Sequence, residues 1–434
     1  MPSSDLTLTG GTLVDPASDT IAVGDIAVSD GRIEAIAPAG SLPEAGQSID
    51  VSGLIVTPGL VDMHVHLRVP GQTEKEDIAS GTRAAVAGGF TTVACMSNTT
   101  PPIDRPERVA DLLARIEAEA LCHVYPYGAA TVGHGQDELT DFEALLDAGC
   151  RAITDDAYPL ESPELKRRAL EAAADAQCLF IAHAEDKTIS GDGVINEGAV
   201  SEQMGVAGIP REAVLRATEE WIGLKDTGGH LHLAHVSTCE EVEMISKAMP
   251  GWNGRLTMET APHYLCVTEE AVLEFGPDAK VNPPLRTDRD VTALLAAVRN
   301  GVIPVIATDH APHTPQEKSK GLKQAPCGLV GLETALGAMV TVLQPESDRD
   351  WLSLTRAMSF IPARLLGLQS GALAEGAPAD ITVISPDDEW LVEPEKFHSK
   401  GRSTPLADRV LTGRAWATIV AGHMRYHNGQ IIEA

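Results

Sequence analysis

The stretch Val61-Asp62-Met63-His64-Val65-His66-Leu67-Arg68 decides the architecture predicted for this chain. His64 and His66 are two residues apart among apolar neighbours, so in an extended strand both imidazoles project from the same face. Thr57-Pro58-Gly59 just upstream is a turn signal, which places the two histidines at the carboxyl end of a strand that begins at Leu60. The plainer alternative is two strand histidines satisfied by their neighbours, so a shared metal ion requires further ligands.

Beyond Pro58, short apolar runs alternate with amphipathic helical segments. Residues 108–119 are typical of these segments, because their apolar residues recur at helical spacing and Pro106 lies near the start. Eight such runs favour a closed parallel (β/α)8 barrel, in which the active-site groups follow the strands. The runs are residues 60–66, 90–95, 122–127, 150–154, 178–183, 230–235, 255–259 and 303–308, of which the fourth and seventh are the least distinct.

Both ends of the chain have a different pattern, in which short runs of alternating apolar and polar residues are separated by turns. Asp30-Gly31 between two such runs is a hairpin signal, and the runs around Ile381 and Ile419 are similar to those of the opening segment. We therefore predict an α/β protein with a TIM-type barrel over residues 57–366. Residues 1–56 and 367–434 are predicted to form one small β-sandwich domain together. A separate C-terminal domain is the alternative.

Composition narrows the function. The 434 residues, 43% of them hydrophobic, can bury a large core, and the net charge of −29 argues against a nucleic-acid-binding surface. That charge indicates either a salt-adapted host or an ordinary acidic enzyme. The lack of an eighteen-residue apolar run and of an export signal at Met1-Pro2-Ser3-Ser4-Asp5 predicts a cytoplasmic protein. Seven cysteines without Cys-x-x-Cys spacing indicate reduced, packed thiols.

Polar groups also end four of the later runs, and a barrel directs all of them to one mouth. Imidazoles and carboxylates without thiolates suit zinc, manganese or iron(II), and two ions need a bridging anion to offset their repulsion. Either Asp155 or Asp156 can supply that anion. The candidate groups are His64, His66, Asp155, Asp156, His183, His235 and Asp309.

With these groups the chain resembles the amidohydrolase superfamily and, within it, the dihydroorotases. The resemblance runs nearly end to end and implies a metal-dependent hydrolase that interconverts dihydroorotate and N-carbamoyl-aspartate in pyrimidine synthesis, with two divalent ions, preferably zinc. The motifs that carry it are residues 62–68, Met96-Ser97-Asn98-Thr99, Thr154-Asp155-Asp156, Asn282-Pro283-Pro284-Leu285-Arg286, residues 308–313 and Gly331-Leu332-Glu333.

The resemblance also implies roles for individual residues. Thr154-Asp155-Asp156 stands where many superfamily members carry a carboxylated lysine, which is similar to the branch that bridges its metals with aspartate. By that likeness Asp156 is the bridge and Asp309 is both a ligand and the catalytic acid and base. The remaining implied ligands are His64 and His66 on the more buried metal, with Asp309, and His183 and His235 on the other. Ala157, where glycine is usual, weakens the choice of Asp156 over Asp155.

Substrate recognition requires a cation for the carboxylate of the substrate. Arg68 lies two residues past His66 on the same strand face and offers a planar fork for bidentate pairing, whereas a salt bridge at the barrel rim is the alternative. The resemblance adds Asn98 and His313 at the carboxylate, with Asn282, Cys327 and Gly328 lining the pocket.

Four further polar residues near the mouth are not predicted to bind metal or substrate. His232 is predicted to pack deeper in the barrel, and His310 to have a structural or supporting role, since it points away from the face of Asp309. Glu185 and Asp186 follow His183 and either orient its imidazole or are solvated, and solvation is favoured.

The segment 314–328 contains Lys318, Lys320, Gly321 and Lys323 in a short span. We predict a mobile loop over the barrel mouth, with a solvated charge run as the alternative.

Two other functions remain open. A hydantoinase or allantoinase opens a similar cyclic amide, but such enzymes usually bridge their metals with lysine. An inactive dihydroorotase-like scaffold that assembles with aspartate transcarbamoylase is the second alternative. For an active enzyme, the partners implied by the resemblance are a small-molecule substrate and either a second copy of the chain or aspartate transcarbamoylase.

Overall fold

The computed structural model describes residues 5–42, 46–343 and 349–433. Residues 1–4, on which the prediction of no export signal partly rests, lie outside the described residues. The strands are β1 Leu6–Asp15, β2 Thr20–Ser29, β3 Arg32–Pro38, β4 Gln47–Asp50, β5 Ile55–Pro58, β6 Leu60–Val65, β7 Phe90–Cys95, β8 His123–Pro126, β9 Gly128–Ala129, β10 Ala152–Thr154, β11 Leu179–Ala182, β12 Ile195–Asn196, β13 Gly208–Ile209, β14 His230–Leu233, β15 Leu256–Thr260, β16 Val305–Ile306, β17 Ile381–Leu391, β18 Val410–Val420, β19 His423–His427 and β20 Gln430–Ile431.

The α-helices alternate with the middle strands, as the sequence predicts. A π-helical turn covers Arg356–Phe360. The helices are α1 Ile78–Ala87, α2 Pro106–Glu119, α3 Phe142–Asp147, α4 Pro163–Asp175, α5 Lys187–Ser190, α6 Ala199–Met204, α7 Glu212–Ile222, α8 Cys239–Ala248, α9 Pro262–Cys266, α10 Ala271–Phe275, α11 Asp288–Arg299, α12 Pro315–Lys318, α13 Ala335–Leu343, α14 Trp351–Thr355 and α15 Ile361–Leu365.

Eight parallel strands close into a barrel, which confirms the predicted fold class. Strand β6 pairs with β7, and β7 pairs with β8. Strands β8 and β9 together act as the third barrel strand, because β9 continues the pairing to β10 and so on through β11, β14, β15 and β16. The barrel closes where the His66 amide donates to the His310 carbonyl at 2.8 Å. The two least distinct runs are therefore the strands β10 and β15.

Packing on both faces explains why these strands read as continuous apolar runs. One buried cluster includes Val61, Met63, Ile181 and Val305 and extends to Leu366 after α15. The outward side chains pack against the helices, as α2 illustrates: Pro106 begins the helix, where its missing N–H costs nothing, and Val109 and Leu112 are buried.

The two chain ends build one sheet beside the barrel, in the order β20-β19-β18-β17-β5-β1-β2-β3, with β4 also paired to β1. Strand β5 joins the two halves, because it runs parallel to β1 and antiparallel to β17. Leu8, Ile26 and Val56 share a buried cluster with Ile381 and Ile419. A separate C-terminal domain is therefore wrong, while the exact boundaries at 56/57 and 366/367 stay a prediction.

The hairpin predicted at Asp30-Gly31 is present in the sheet. Asp30 and Gly31 have φ angles of 50° and 72° and connect β2 to β3 in an antiparallel hairpin, the left-handed geometry that a two-residue turn requires. Among the described helices, none has the length and apolar character needed to cross a bilayer.

Candidate active site

Side chains from five strand ends meet at one mouth of the barrel. The described residues place all six implied metal ligands there, and each is buried. His64 lies on β6 and His66 just after it, while Asp156, His183, His235 and Asp309 follow β10, β11, β14 and β16. The carboxyl ends of parallel strands share one edge, so residues distant in the chain become neighbours.

Asp156 belongs to two groups of ligand atoms at once. One group contains His64 and His66, the other contains His183 and His235, and within each group the ligand atoms lie within 4.8 Å of one another. Asp156 Oδ2 is 2.7 Å from His64 Nε2, and Asp156 Oδ1 is 3.5 Å from His183 Nδ1. One carboxylate thus reaches both groups through different oxygens, the geometry of a bridging ligand.

Asp155 has a different environment from Asp156. Its Oδ1 accepts the His183 amide at 2.8 Å and its Oδ2 accepts the Leu160 amide at 3.0 Å. Burial raises the pKa of Asp155 to about 6. Both oxygens are therefore committed to backbone donors, which suits a structural role.

Asp309 completes the first group. Its Oδ1 lies 3.2 Å from His66 Nε2 and 3.5 Å from His64 Nε2. Burial by itself raises the pKa of Asp309, but His64 and His66 outweigh burial and hold that pKa below its usual range. The carboxylate is ionised, so it can hold a cation or accept a proton.

The donor set fits a pair of divalent ions. His64 Nε2 and Asp156 Oδ2 are buried and face each other, yet they lack the geometry of a hydrogen bond. Burial, with the charge on His183, lowers the pKa of His235 to about 3, so this imidazole is neutral. Neighbouring carboxylates outweigh burial and raise the pKa values of His64 and His183, so a metal ion bound there would displace their protons. Neutral imidazoles and ionised carboxylates are the forms that bind metal, and four nitrogens with two carboxylates suit zinc, manganese or iron(II).

Three of the ligand imidazoles are held from behind by an oxygen acceptor. His64 Nδ1 lies 2.6 Å from Glu259 Oε1, His66 Nδ1 lies 2.8 Å from Asn98 Oδ1, and His183 Nε2 lies 3.0 Å from Glu185 Oε2. Such contacts fix the tautomer and orientation of a metal-binding imidazole. The favoured interpretation of Glu185 as solvated is wrong, since its side chain is 4% exposed.

Glu259 is the supporting residue that sequence reasoning missed. It ends the seventh run, so its position in β15 matches that of the other strand-end groups and was the available signal. Its second oxygen lies 3.1 Å from His232 Nε2, while His232 Nδ1 lies 2.8 Å from Thr257 Oγ1. His232 therefore packs deeper in the barrel, as predicted.

His310 and Asp186, the other two polar residues near the mouth, lie outside the two groups of candidate ligands. His310 Nε2 contacts Glu76 Oε2 at 3.2 Å, and His310 Nδ1 accepts the Gly331 amide at 3.2 Å, so His310 is structural, as predicted. Asp186 is half-buried and caps α5 by accepting the Thr188 amide at 2.9 Å.

A cavity of about 430 Å³ opens onto the ligand groups. Besides five of the six candidate ligands, its lining includes every residue predicted to contact the substrate: Arg68, Asn98, Asn282, His313, Cys327 and Gly328. The fold therefore places the residues predicted to bind substrate in the same cavity as the candidate metal ligands. Their contacts with one another modify two of the predicted roles.

Arg68 is buried at the start of a chain of polar contacts. Its Nε donates to the Pro312 carbonyl at 3.2 Å, and its terminal nitrogen donates to His313 Nε2 at 3.2 Å. His313 in turn donates from Nδ1 to Glu317 Oε2 at 3.2 Å, and Lys75 pairs with Glu317 Oε1 at 3.0 Å. Burial and the charge of Arg68 lower the pKa of His313 to about 3, so it is neutral. Arg68 is thus held inside the cavity, not at a rim salt bridge.

Asn282 contacts the second ligand group. Its Nδ2 donates to Glu185 Oε2 at 2.8 Å and lies 3.4 Å from His183 Nε2. The carboxylate behind His183 is therefore shared with a residue that also lines the cavity.

Comparison with known proteins places the whole chain among named relatives. Residues 53–241 match the family described as dihydro-orotase-like, and residues 270–426 match the amidohydrolase family. A protein of Citrifermentans bemidjiense named dihydroorotase is 43% identical over 97% of this chain and 99% of its own length. A dihydroorotase of Pelotomaculum thermopropionicum is 44% identical over 96% of this chain and 98% of its own length.

Solved structures extend the likeness to the fold. An L-hydantoinase of Arthrobacter aurescens superposes with a TM-score of 0.90 at 26% identity, covering 99% of this chain and 98% of that one. A dihydropyrimidinase of Brevibacillus agri gives a TM-score of 0.85 at 21% identity, covering 98% and 96%. The second likeness is one of fold alone.

Proposed function

This chain belongs to the dihydroorotase family, and we infer that it is a hydrolase of cyclic amides that interconverts dihydroorotate and N-carbamoyl-aspartate. Hydrolysis opens the C–N bond of the six-membered ring, and the reverse reaction closes the ring in pyrimidine synthesis. Relatives named dihydroorotase, 42–44% identical over nearly their whole length, support this assignment.

One observation carries the choice of substrate. The cavity that reaches the Asp156-centred ligand groups also contains the buried guanidinium of Arg68. Burial lowers the pKa of Arg68 to about 10, so it stays charged at neutral pH. Dihydroorotate carries both an amide for the ligand groups and a carboxylate for Arg68, whereas dihydrouracil and a simple hydantoin ring offer no carboxylate.

We propose two divalent ions as the cofactor, preferably zinc. His64, His66 and Asp309 would hold one, His183 and His235 the other, with Asp156 between them. When bound, such a pair supplies an acidic water and polarises the amide carbonyl.

The remaining steps belong to the chain's own side chains. In hydrolysis the Asp309 carboxylate accepts the proton that the attacking water releases, and it delivers that proton to the ring nitrogen as the C–N bond breaks. Glu259, Asn98 and Glu185 keep the three ligand imidazoles oriented throughout. Water adds across the C–N bond: one of its protons passes through Asp309 to the ring nitrogen, and the other stays on the new carboxyl group, which ionises by releasing it to solvent. In the reverse direction that proton is taken up again.

Arg68 binds the substrate carboxylate, with two changes to the predicted roles of its neighbours. His313 accepts from Arg68 through Nε2 and therefore acts first on the guanidinium. Asn98 uses Oδ1 for His66, which leaves its amide N–H groups to donate toward the carboxylate. Asn282, Cys327 and Gly328 also line this cavity.

A side-by-side assay tests the function. The zinc-loaded chain is given dihydroorotate, N-carbamoyl-aspartate, allantoin and dihydrouracil, and we expect turnover of the first pair only. Turnover of allantoin or dihydrouracil alone would support a hydantoinase or allantoinase. A chain that binds no zinc and gains no activity with added zinc would support the inactive scaffold, although the retention of all six candidate ligands argues against it.

We propose that the protein is cytoplasmic. Seven free cysteines support a reducing compartment such as the cytoplasm. A homodimer or an association with aspartate transcarbamoylase is tested by the mass of the purified chain alone and mixed with that enzyme.

A further inference from the structure

The loop 314–328 is not a solvated charge run, and its predicted mobility over the barrel mouth stays a prediction. Thr314 and Glu317 form a capping box that begins the short helix α12. Its lysines differ sharply in exposure, because Lys318 is only 4% exposed whereas Lys320 and Lys323 are exposed. A buried ammonium needs acceptors for its three donors, so the partners of Lys318 reveal what holds the loop.

Lys318 reaches from the loop into the preceding segment, residues 276–285. Its Nζ donates to the Pro277 carbonyl at 2.9 Å and lies 3.5 Å from the Lys280 carbonyl. A further bond of 3.1 Å to the Pro326 carbonyl closes the loop on itself. All of these acceptors are backbone carbonyls. Burial lowers the pKa of Lys318 to about 8, which agrees with a site screened from water.

Lys280 makes the reverse connection. It lies in the segment 276–285 and is 7% exposed. Its Nζ donates at 2.8 Å to the carbonyls of both Leu322 and Ala325 in the loop. Each segment therefore inserts one ammonium into the backbone of the other. We call this pair of lysines, Lys280 and Lys318, the lysine clasp.

The clasp adjoins one wall of the cavity. Asn282 follows Lys280 by two residues, and Cys327 and Gly328 follow Ala325 by two and three. The Gly328 amide also donates to the Lys280 carbonyl at 2.9 Å, so the two segments are bonded directly beside the cavity. Any change in the spacing of the segments moves Asn282 relative to Gly328.

We propose that Lys280 and Lys318 are positioning residues that hold the Asn282 and Cys327-Gly328 wall at the spacing required to bind substrate. The proposal rests on the proposed function only in naming dihydroorotate as that substrate. Because the clasp contacts none of the six candidate ligands, its loss weakens substrate binding more than the chemical step.

Kinetics of matched variants test this role. In Lys318→Met and Lys280→Met we expect the KM for dihydroorotate to rise by about tenfold, since charge-assisted hydrogen bonds are lost. The value of kcat and the zinc content should stay close to wild type. Lys320→Met and Lys323→Met make the same change on the exposed side of the loop and should leave KM unchanged. Unchanged KM in both clasp variants, or an equal rise in the controls, overturns the proposal.

Two measurements keep the test decisive if a methionine variant fails to fold. Lys318→Gln retains two donors without the charge and should give a smaller rise in KM. In the wild-type chain, amide hydrogen exchange over residues 314–328 should be slow, and trypsin should cut slowly after Lys320 and Lys323. Rapid exchange and rapid cutting would contradict the clasp, whatever the substrate is. Failure of wild-type turnover of dihydroorotate would instead contradict the proposed function.

Discussion

The cavity has two walls that are built in different ways. On the strand wall, His64, His66 and His183 stand at strand ends, and each is backed by a side-chain oxygen of Glu259, Asn98 or Glu185. On the loop wall, the lysine clasp donates to backbone carbonyls, and Arg68 donates to the Pro312 carbonyl and to His313. Side-chain acceptors fix an imidazole atom by atom, whereas carbonyl acceptors fix the course of a loop. We therefore expect the strand wall to control metal binding and rate, and the loop wall to control affinity.

The largest effect is expected at the strand wall, from Asp309→Asn. The amide cannot accept the proton of the attacking water, so kcat should fall by about 10³-fold, while much of the zinc remains on the other five ligands. Steady-state rates and elemental analysis of the same sample measure both quantities. An Asp309→Asn chain with near-normal kcat would remove this residue from the chemistry and break the contrast between the walls.

The adjacent aspartates give the next largest effect. Asp156→Ala removes the oxygens shared by both ligand groups and should cost most of the bound zinc after dialysis. Asp155→Ala is the matched control, because it removes only acceptors for the His183 and Leu160 amides. We expect it to lower the free energy of unfolding by about 1–3 kcal/mol and to keep its zinc. The reverse order of zinc contents would move the bridge to Asp155.

The support behind the strand wall should matter less than its ligands. Glu259→Gln weakens the acceptor behind His64, and we expect zinc affinity to fall by about 10–100-fold. Competition with a chelator measures the change, and the exposed Glu202→Gln is the control. If the zinc affinity of Glu259→Gln equals that of the control, the orientation of His64 is set by β6 alone.

The smallest expected loss of rate is at the loop wall, from Arg68→Ala. Loss of a bidentate charged pair should raise the KM for dihydroorotate by about 10–100-fold, with the zinc content and most of kcat retained. Arg68→Lys keeps the charge without the planar fork, so its KM should lie between those of the wild-type chain and Arg68→Ala. An unchanged KM would refute carboxylate binding by Arg68. A fall confined to kcat would mean that the loop wall controls the rate, as the strand wall does.

The same division separates what sequence could predict from what it could not. The period-two spacing of His64 and His66 and the repetition of apolar runs are local patterns, and they were sufficient for the barrel and for the meeting of its strand ends. The choice between Asp155 and Asp156 depends on the direction of the backbone after β10, which no local pattern reports. Asp155 turns instead to the amides of His183 and Leu160.

Burial was the property that sequence reasoning judged least well. Glu185 and Lys318 are charged residues in short polar stretches, and such residues are mostly solvated. Both are buried because distant segments supply their partners: Asn282 donates to Glu185, and the carbonyl of Pro277 accepts from Lys318. These partners are set by tertiary contacts, so periodicity gives no sign of them.

The sheet that joins the chain ends has a consequence for synthesis on the ribosome. Its first five strands are complete at Pro58, but their neighbour β17 begins only at Ile381. A nascent chain must therefore carry the open edge of β5 while the whole barrel is being made. A product truncated before Ile381 would retain all six candidate ligands yet expose that unpaired edge, and unpaired edges promote aggregation. Pairing with β17 therefore covers an edge that would otherwise favour aggregation.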